Sequence, residues 1–422
     1  MRIKNIALFL TTISVIFFAC SGDDDSSQNQ PQNQPPGNFN LIGVTNTANN
    51  VSVMPSFSWN ASVDPDGDEV TYDFYLGEDE AASSLFLEDL TGTQLTLENR
   101  LKLFTQYYWR VVAKDGNGGE TSSEIYSFTT RNLSSGTLLN TTGFPEFRGH
   151  TSLVFDDKIW VMGGNRNGSF NEEIRVSIDG INWTIATDSP DFPSRINHTA
   201  VFFDNKMWVI GGTEGQALNS VNDVWFSTDG INWTEATPSA NFSTRQGHTT
   251  LVFDNKLWVI GGIEGQTSDN KNDVWFSSDG TNWVEATSAA NFSARRFHTS
   301  VVFDNKMWVI GGSDSSQIND VWYSSDGINW VEATANAAFS ERAFFTIEIY
   351  ENKMWLIGGS DGVTTYNDIW SSENGTDWEL VTSNSNMPEI SRHSSNVFLD
   401  KIFVLGGSLG GGGTSDEVWV FD

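Results

Sequence analysis

The chain has five histidines, and all of them occupy one place in a repeating pattern: His150, His198, His248, His298 and His393. Each lies ten residues before an aromatic, which is Trp160, Trp208, Trp258, Trp308 and finally Phe403. A ring of imidazoles could hold a metal. The competing reading, one packed structural histidine per repeat, is preferred, because Phe345 fills the same place in the fifth repeat. Metal ligands would also come from different roles rather than equal ones. Just upstream stand Arg148, Arg195, Arg245, Arg295, Arg342 and Arg392, one per repeat. Further along each repeat comes an acid: Glu173, Asp223, Asp273, Asp320, Asp368 and Glu417. Such residues can pair with one another, or the guanidiniums can form a rim that binds an anionic ligand through bidentate hydrogen bonds.

The elements that must position these groups repeat as well. Glycine doublets begin at 163, 211, 261, 311, 358 and 406, so the period is 47 to 50 residues. The second unit reads HTAVFFDNKMWVIGG then NDVWFSTDGINWTEAT, and the third is nearly the same. Four strands are legible, the first two joined by Asp-Asn and the last two by Asp-Gly, residue types that tolerate the positive φ of a tight hairpin. Residues 136–422 therefore resemble a kelch β-propeller, which implies six blades. The last repeat stops at its third strand, Glu417 to Asp422. Residues 137–141 (TLLNT) stand where WTEAT precedes the later repeats, and they are expected to complete the sixth blade and protect its edge.

The Ser-x-Asp-Gly-x-x-Trp segments at Asp179, Asp229, Asp279 and Asp326, with Asn374 as a variant, resemble the Asp-box turns of sialidases. They are read as structural hairpins whose Trp packs between blades. The loops after the glycine doublets differ in length and chemistry, and they leave the same end of the propeller as the arginines. Variable loops on one face usually carry function. The oddities gather in repeats five, six and one, which closure makes neighbours: Phe344, Phe345, Glu348, Tyr350, Tyr366, Arg166 and Arg175. The expected ligand-binding set is Arg148, Arg166, Arg342, Arg392, Tyr366 and Glu348.

A charge of −31, from 23 Lys and Arg against 54 Asp and Glu, argues against nucleic acid as a partner. The fold class is all-β, with 38 Gly, 17 Trp and 29 Phe. The single cysteine, Cys20, excludes an intramolecular disulfide and a cysteine-based site beyond it. Residues 1–19 read as a signal peptide, and Phe17-Phe18-Ala19-Cys20 resembles a bacterial lipobox with Cys20 as the lipidation site. The resemblance implies an exported monomer anchored to the outer membrane through the N-terminal lipid alone. Residues 20–38 are rich in Gln, Asn, Pro and Asp and are expected to form a disordered tether.

Residues 39–131 show short alternating runs, among them PSFSWNA, VTYDFYLG and QYYWRVVAKD. They resemble a fibronectin type III (Ig-like) β-sandwich. Its turns at Asp64, Asp66 and Asp68 and at Asp115 could converge oxygens on calcium, or serve as turns alone. The preferred function is an envelope binding protein whose propeller face recognises a glycan or protein. A kelch-type mutarotase or epimerase acting on sialic acid-like sugars and a structural surface protein are the alternatives. A galactose oxidase-like centre is excluded by the missing cysteine.

Overall fold

The computed structural model describes residues 32–166, 168–215, 219–265 and 269–422. Cys20 and residues 1–19 lie outside the described residues. The described elements are strands joined by turns, with no helix among them. The chain divides into two compact units. One runs to Arg100 and resumes over Gln106–Thr129, and the other comprises Leu101–Thr105 and Thr130–Asp422.

In the first unit Leu41–Gly43, Ser56–Trp59 and Gln94–Thr96 form one antiparallel sheet. Ala48–Val51, Tyr126–Thr130, Gln106–Lys114, Thr71–Gly77 and Leu85–Leu90 form another, with Glu120–Ser122 added to the long Gln106–Lys114 strand. Alternation places Phe57, Phe74, Trp109 and Phe128 inward, all almost fully buried. Phe57 sits 4.8 Å from both Phe74 and Trp109, ring centre to ring centre. Rings packed at this distance contribute beyond the area they bury.

The second unit repeats one antiparallel four-stranded sheet, and six such sheets are present among the described residues. In the second repeat Thr199–Phe203 pairs with Lys206–Glu214, which pairs with Asn219–Ser227, which pairs with Thr234–Thr237. The hairpin residues Asp204 and Asn205 have φ of 50° and 55°, the type I′ geometry that suits the strand twist. Glu351-Asn352 and Leu399-Asp400 hold the same geometry in repeats five and six with less suitable first residues.

The cores lie between successive sheets. Leu153, Trp160 and Met162 of the first repeat pack with Met207, Val209 and Trp233 of the second. Phe398, Phe403 and Leu405 of the sixth repeat pack with Phe147, Ile159 and Trp183 of the first. Thr137–Leu138 pairs with the final strand, as Thr137 opposite Val420 and Leu138 opposite Trp419. The inner strands neighbour one another around a circle that returns from Ser394–Phe398 to Thr151–Phe155.

One backbone circuit lies at the centre. The N–H of Asn197 donates to the carbonyl of Gly149, Gly247 to Asn197, Phe297 to Gly247, Phe344 to Phe297, Arg392 to Phe344, and Gly149 to Arg392, all at 2.8 to 3.1 Å. Six hydrogen bonds thus run from repeat to repeat and close on themselves.

Candidate functional site

The histidines settle first. Each is buried, from His248 at 3% exposed to His150 at 7%. Burial drives the imidazoles toward the neutral form, to about 4 for His150 and about 3 for His248 and His393. His248 shares a hydrogen bond of 3.2 Å with Thr199 of the preceding inner strand, and His298 one of 3.0 Å with Thr249. A Cβ added at Gly212, whose φ is 100°, would lie 2.6 Å from the Cβ of His198. The second glycine of the doublet is therefore the seat of the histidine. Among the described residues no three His, Cys, Asp or Glu side chains come together to hold a metal.

The arginines divide into two classes. Arg195, Arg245, Arg295 and Arg342 are 0% exposed. Arg195 meets Asp223 through two hydrogen bonds of 2.8 Å, donates to Gly211 O at 3.0 Å and to Pro193 O at 3.2 Å, and Trp225 Nε1 donates to the same carboxylate. Arg245 with Asp273, Arg295 with Asp320 and Arg342 with Asp368 repeat the pattern. Burial pushes the Asp273 carboxyl up, but the hydrogen bonds and charge of Arg245 outweigh it and hold the group below its ordinary value. Arg342 therefore does not belong to a ligand-facing set. Tyr366 is also engaged, with its ring 4.1 Å from the Arg342 guanidinium and its hydroxyl donating to Asp361 at 2.7 Å.

Arg148 and Arg392 are not equivalent to these four. Arg195 stands three residues before its histidine, and the residues three before His150 and His393 are Phe147 and Ile390. Both are buried, at 0% and 1% exposed. Apolar side chains thus fill the ion-pair position in the first and sixth repeats. Glu173 turns to Arg175 instead, and Glu417 accepts from Trp419 Nε1. Arg148 stands two residues before its histidine, as Arg296 does, and Arg392 stands one before. None of these three has a carboxylate partner among the described residues.

Position matters because the residue just before each histidine, or before Phe345, is the member of the central hydrogen-bond circuit. Its identity changes from repeat to repeat: Gly149, Asn197, Gly247, Phe297, Phe344 and Arg392. All six have φ between 52° and 62°. Glycine holds that conformation freely, whereas a side chain there costs about 1 to 3 kcal/mol. Four of the six repeats carry one nonetheless. The Phe344 ring lies 4.1 Å from Phe297, and the Arg392 guanidinium lies 4.1 Å from the Phe344 ring centre. Asn197 Nδ2 donates to Gln246 at 2.8 Å.

These residues surround an axial cavity of about 170 Å³, floored by the histidines. Beside it lies a second cavity of about 340 Å³, lined by Arg148, Gly149, Asn165, Phe170, Ile196, Asn197 and Arg392. Burial, and then the charge of Arg148, lower the Arg392 pKa. The two guanidiniums therefore feel each other, and the place between them favours an anion. Arg166 is exposed on the short Asn165–Arg166 and Ser169–Phe170 hairpin at the rim of this cavity.

Glu348 lies apart, on an inner strand. Its carboxyl is enclosed and accepts a 2.6 Å hydrogen bond from Ser395 of the next repeat. Burial raises it to about 7 against the hydrogen bonds from Ser395 and Val397. The Asp-box turns are internal. Asp229 accepts from Ile231 N, Asn232 N and Asn232 Nδ2, while Trp233 Nε1 donates to Gly230 O.

In the first unit the acidic turns hold the chain itself. Asp64 accepts from the backbone of Asp66 and Asp68, and Asp115 from that of Asn117 and Gly119. Asn117 reaches across to Asp68 at 2.8 Å, Asn33 donates to Asp115 at 2.7 Å and Gln34 N donates to Asp66 at 2.7 Å. The expected tether to residue 38 is thus held from Asn33 onward. Asp64 Oδ2 is buried without a partner.

Sequence reading missed the circuit. Its signal was available: one variable column beside an almost constant histidine.

Comparison with protein families matches the KLHDC2/KLHL20/DRC7 Kelch-repeats domain over residues 112–284, 149–330 and 247–422. Among solved structures 336 chains match. One, reported as the structure of YjhT, aligns with a TM-score of 0.55 and 16% identity over 67% of this chain and 99% of that one. No curated protein matches. With far more than half of its length matched by the repeat model, the chain belongs to the kelch-repeat family.

Proposed function

We propose that the second unit is a six-bladed propeller used as a recognition module, binding an anionic glycan or an acidic protein segment at the Arg148–Arg392 cavity. The unit is exported with an N-terminal fibronectin type III-like sandwich and lipidated at Cys20, which places it on the cell envelope. One observation carries this reading. Two guanidiniums without carboxylate partners line a 340 Å³ cavity in a chain of charge −31, and an anion seated there can accept charge-assisted hydrogen bonds from them. The side chains kept at positive φ on the adjoining circuit support it, since strain of this kind gathers at ligand sites.

The test is a glycan array of neutral, sulfated and sialylated sugars probed with the full-length protein in detergent, beside Arg148→Ala and Arg392→Ala. Capture of acidic glycans that either substitution abolishes is the expected result. Capture unaffected by both substitutions sinks the assignment to this cavity. No capture on the array, together with no acidic protein retained in an envelope pull-down, returns the molecule to a structural role.

A sialic acid-like mutarotase or epimerase has one observation in its favour, the Glu348 carboxyl raised to about 7, where proton transfer is efficient at neutral pH. Faster anomeric exchange of an acidic sugar by NMR, lost in Glu348→Gln, is what this second reading requires.

A further inference from the structure

The planar side chains Phe297, Phe344 and Arg392 of the circuit lean in one rotational direction, each toward the repeat before it. A Cβ built on Gly247 would lie 2.6 Å from the Phe297 ring, so Phe297 lies over Gly247. Phe344 packs on Phe297 and Arg392 packs on Phe344, each at 4.1 Å. Asn197 reaches both ways, its Oδ1 standing 3.0 Å from where a Gly149 Cβ would be and its Nδ2 donating to Gln246 of the third repeat. The sequence of planar groups is therefore Phe297, Phe344, Arg392, and the next member should come from the first repeat. That member is Gly149, which has no side chain. Arg392, Gly149 and Asn197 border both the axial cavity and the 340 Å³ cavity, which therefore adjoin at the missing rung.

We propose that this gap is the seat of a planar anionic group, an aryl or enolic carboxylate, which stacks on the Arg392 guanidinium and completes the interrupted stack while Arg148 takes its charge. This rests on the anion-binding reading above and narrows it. A guanidinium is itself planar and can stack on a π-system, and that of Arg392 already lies 4.1 Å from the centre of the Phe344 ring. Asn165 and Asn197 supply amides at the edge, and Phe170 with Ile196 supplies apolar wall, a combination suited to a flat ring bearing one carboxylate. A bulky, puckered ring carboxylate can accept hydrogen bonds from Arg148 and Arg392 but cannot lie flat on the Arg392 face.

Three probes separate shape from charge: benzoate, cyclohexanecarboxylate and benzamide, titrated into full-length protein by calorimetry with saturation-transfer NMR as a second readout. Benzoate is expected to bind about tenfold more tightly than cyclohexanecarboxylate, and benzamide to bind weakest. Arg392→Lys, which keeps the charge and loses the plane, is expected to erase the preference between the two acids. Gly149→Phe supplies the missing rung from within, in a conformation that Phe297 and Phe344 already adopt, and is expected to abolish benzoate binding without loss of fold. Equal binding of the two acids by the unsubstituted protein overturns the stacking inference and leaves anion recognition standing. Binding of neither acid, with charge-dependent capture on the glycan array retained, also overturns the stacking inference alone. Failure of both experiments removes the underlying reading too.

Discussion

Repeats two to five and repeats one and six use the same residue type for opposite ends. In the former, arginine enters three residues before the inner-strand anchor, is buried, and spends its donors on an aspartate and on backbone carbonyls, as Arg195 does with Asp223, Gly211 and Pro193. In the latter, Phe147 and Ile390 take that position, and arginine moves one or two residues along the chain to line a cavity. A shift of one or two residues in an irregular segment separates a structural ion pair from an arginine that lines a cavity without a carboxylate partner. Propeller repeats allow such divergence because the sheets carry the fold and the connecting segments are free to vary.

The largest effect expected is the contrast between Arg245→Ala and Arg392→Ala in chemical denaturation. Arg245→Ala strands the largely buried Asp273 carboxylate and should cost about 3 kcal/mol. Arg392→Ala removes a half-buried stacking group that has no ion-pair partner, and should cost about 1 kcal/mol or less while abolishing anion binding. Similar losses for both would dissolve the division between the two classes. Replacing Arg245 and Asp273 together by apolar residues of like volume should recover much of the loss, since only the unpaired charge is costly.

Acid should act on the buried histidines next. His248 is held at about 3 by burial and by Arg245, against an unfolded value near 6.5. The unfolded chain therefore binds the extra proton as pH falls below 6.5. The stability of the neutral buried ring is fully present above that value and lost progressively below it, by about 2 kcal/mol at pH 5. Glu348 acts with the opposite sign: raised to about 7, it stabilises most below its unfolded value near 4.5, and that contribution fades as pH rises through 7. With five histidines against one glutamate, urea midpoints should fall between pH 6.5 and 5. His248→Phe, copying Phe345, should flatten that slope by one proton, and an unchanged slope would remove histidine from the account.

Much of this was legible beforehand, and the remainder was hidden for a physical reason. The glycine doublets, the Asp-Asn hairpins and the histidine column are fixed by backbone geometry that any repeat must satisfy, as the close seat of His198 on Gly212 illustrates. The arginine register was misread because the segment before each inner strand has no period to count against, so Arg148 and Arg392 aligned by type with Arg342 although they sit elsewhere. Glu348 and Tyr366 were rightly seen as departures from the repeat, but a departure does not reveal its direction. Glu348 meets Ser395 between inner strands, and Tyr366 covers Arg342.

A smaller effect separates the structural Asp-box from a charge requirement. Asn374 in the fifth repeat accepts backbone N–H groups from Thr376 and Asp377, as Asp229 does from Ile231 and Asn232. Burial raises the Asp229 carboxyl, but the hydrogen bonds of Asn232, Ile231 and Ser227 more than offset it and hold the group at about 2. Asp229→Asn should therefore be nearly neutral in a thermal melt, and Asp229→Ala should cost about 1 kcal/mol. Equal losses would mean that the carboxylate charge, rather than its acceptor geometry, is what the turn needs.

The smallest expected effect concerns calcium in the first unit. Six of the eight carboxylate oxygens of Asp64, Asp66, Asp68 and Asp115 accept from amide donors: both of Asp115, both of Asp66, Oδ1 of Asp64 and Oδ2 of Asp68. Calcium needs six to eight oxygens free to converge, and here the oxygens already serve as acceptors for the chain. Millimolar calcium or EDTA should leave the melting temperature of the protein unchanged, and Asp115→Asn should lower it slightly by weakening the clasp on Asn33. The buried, unpartnered Oδ2 of Asp64 makes the opposite outcome informative. A calcium-dependent rise in melting temperature that Asp64→Asn abolishes would show that the clasp rearranges around a cation, and that these acids, unlike the paired arginines of the second unit, are not committed to the chain.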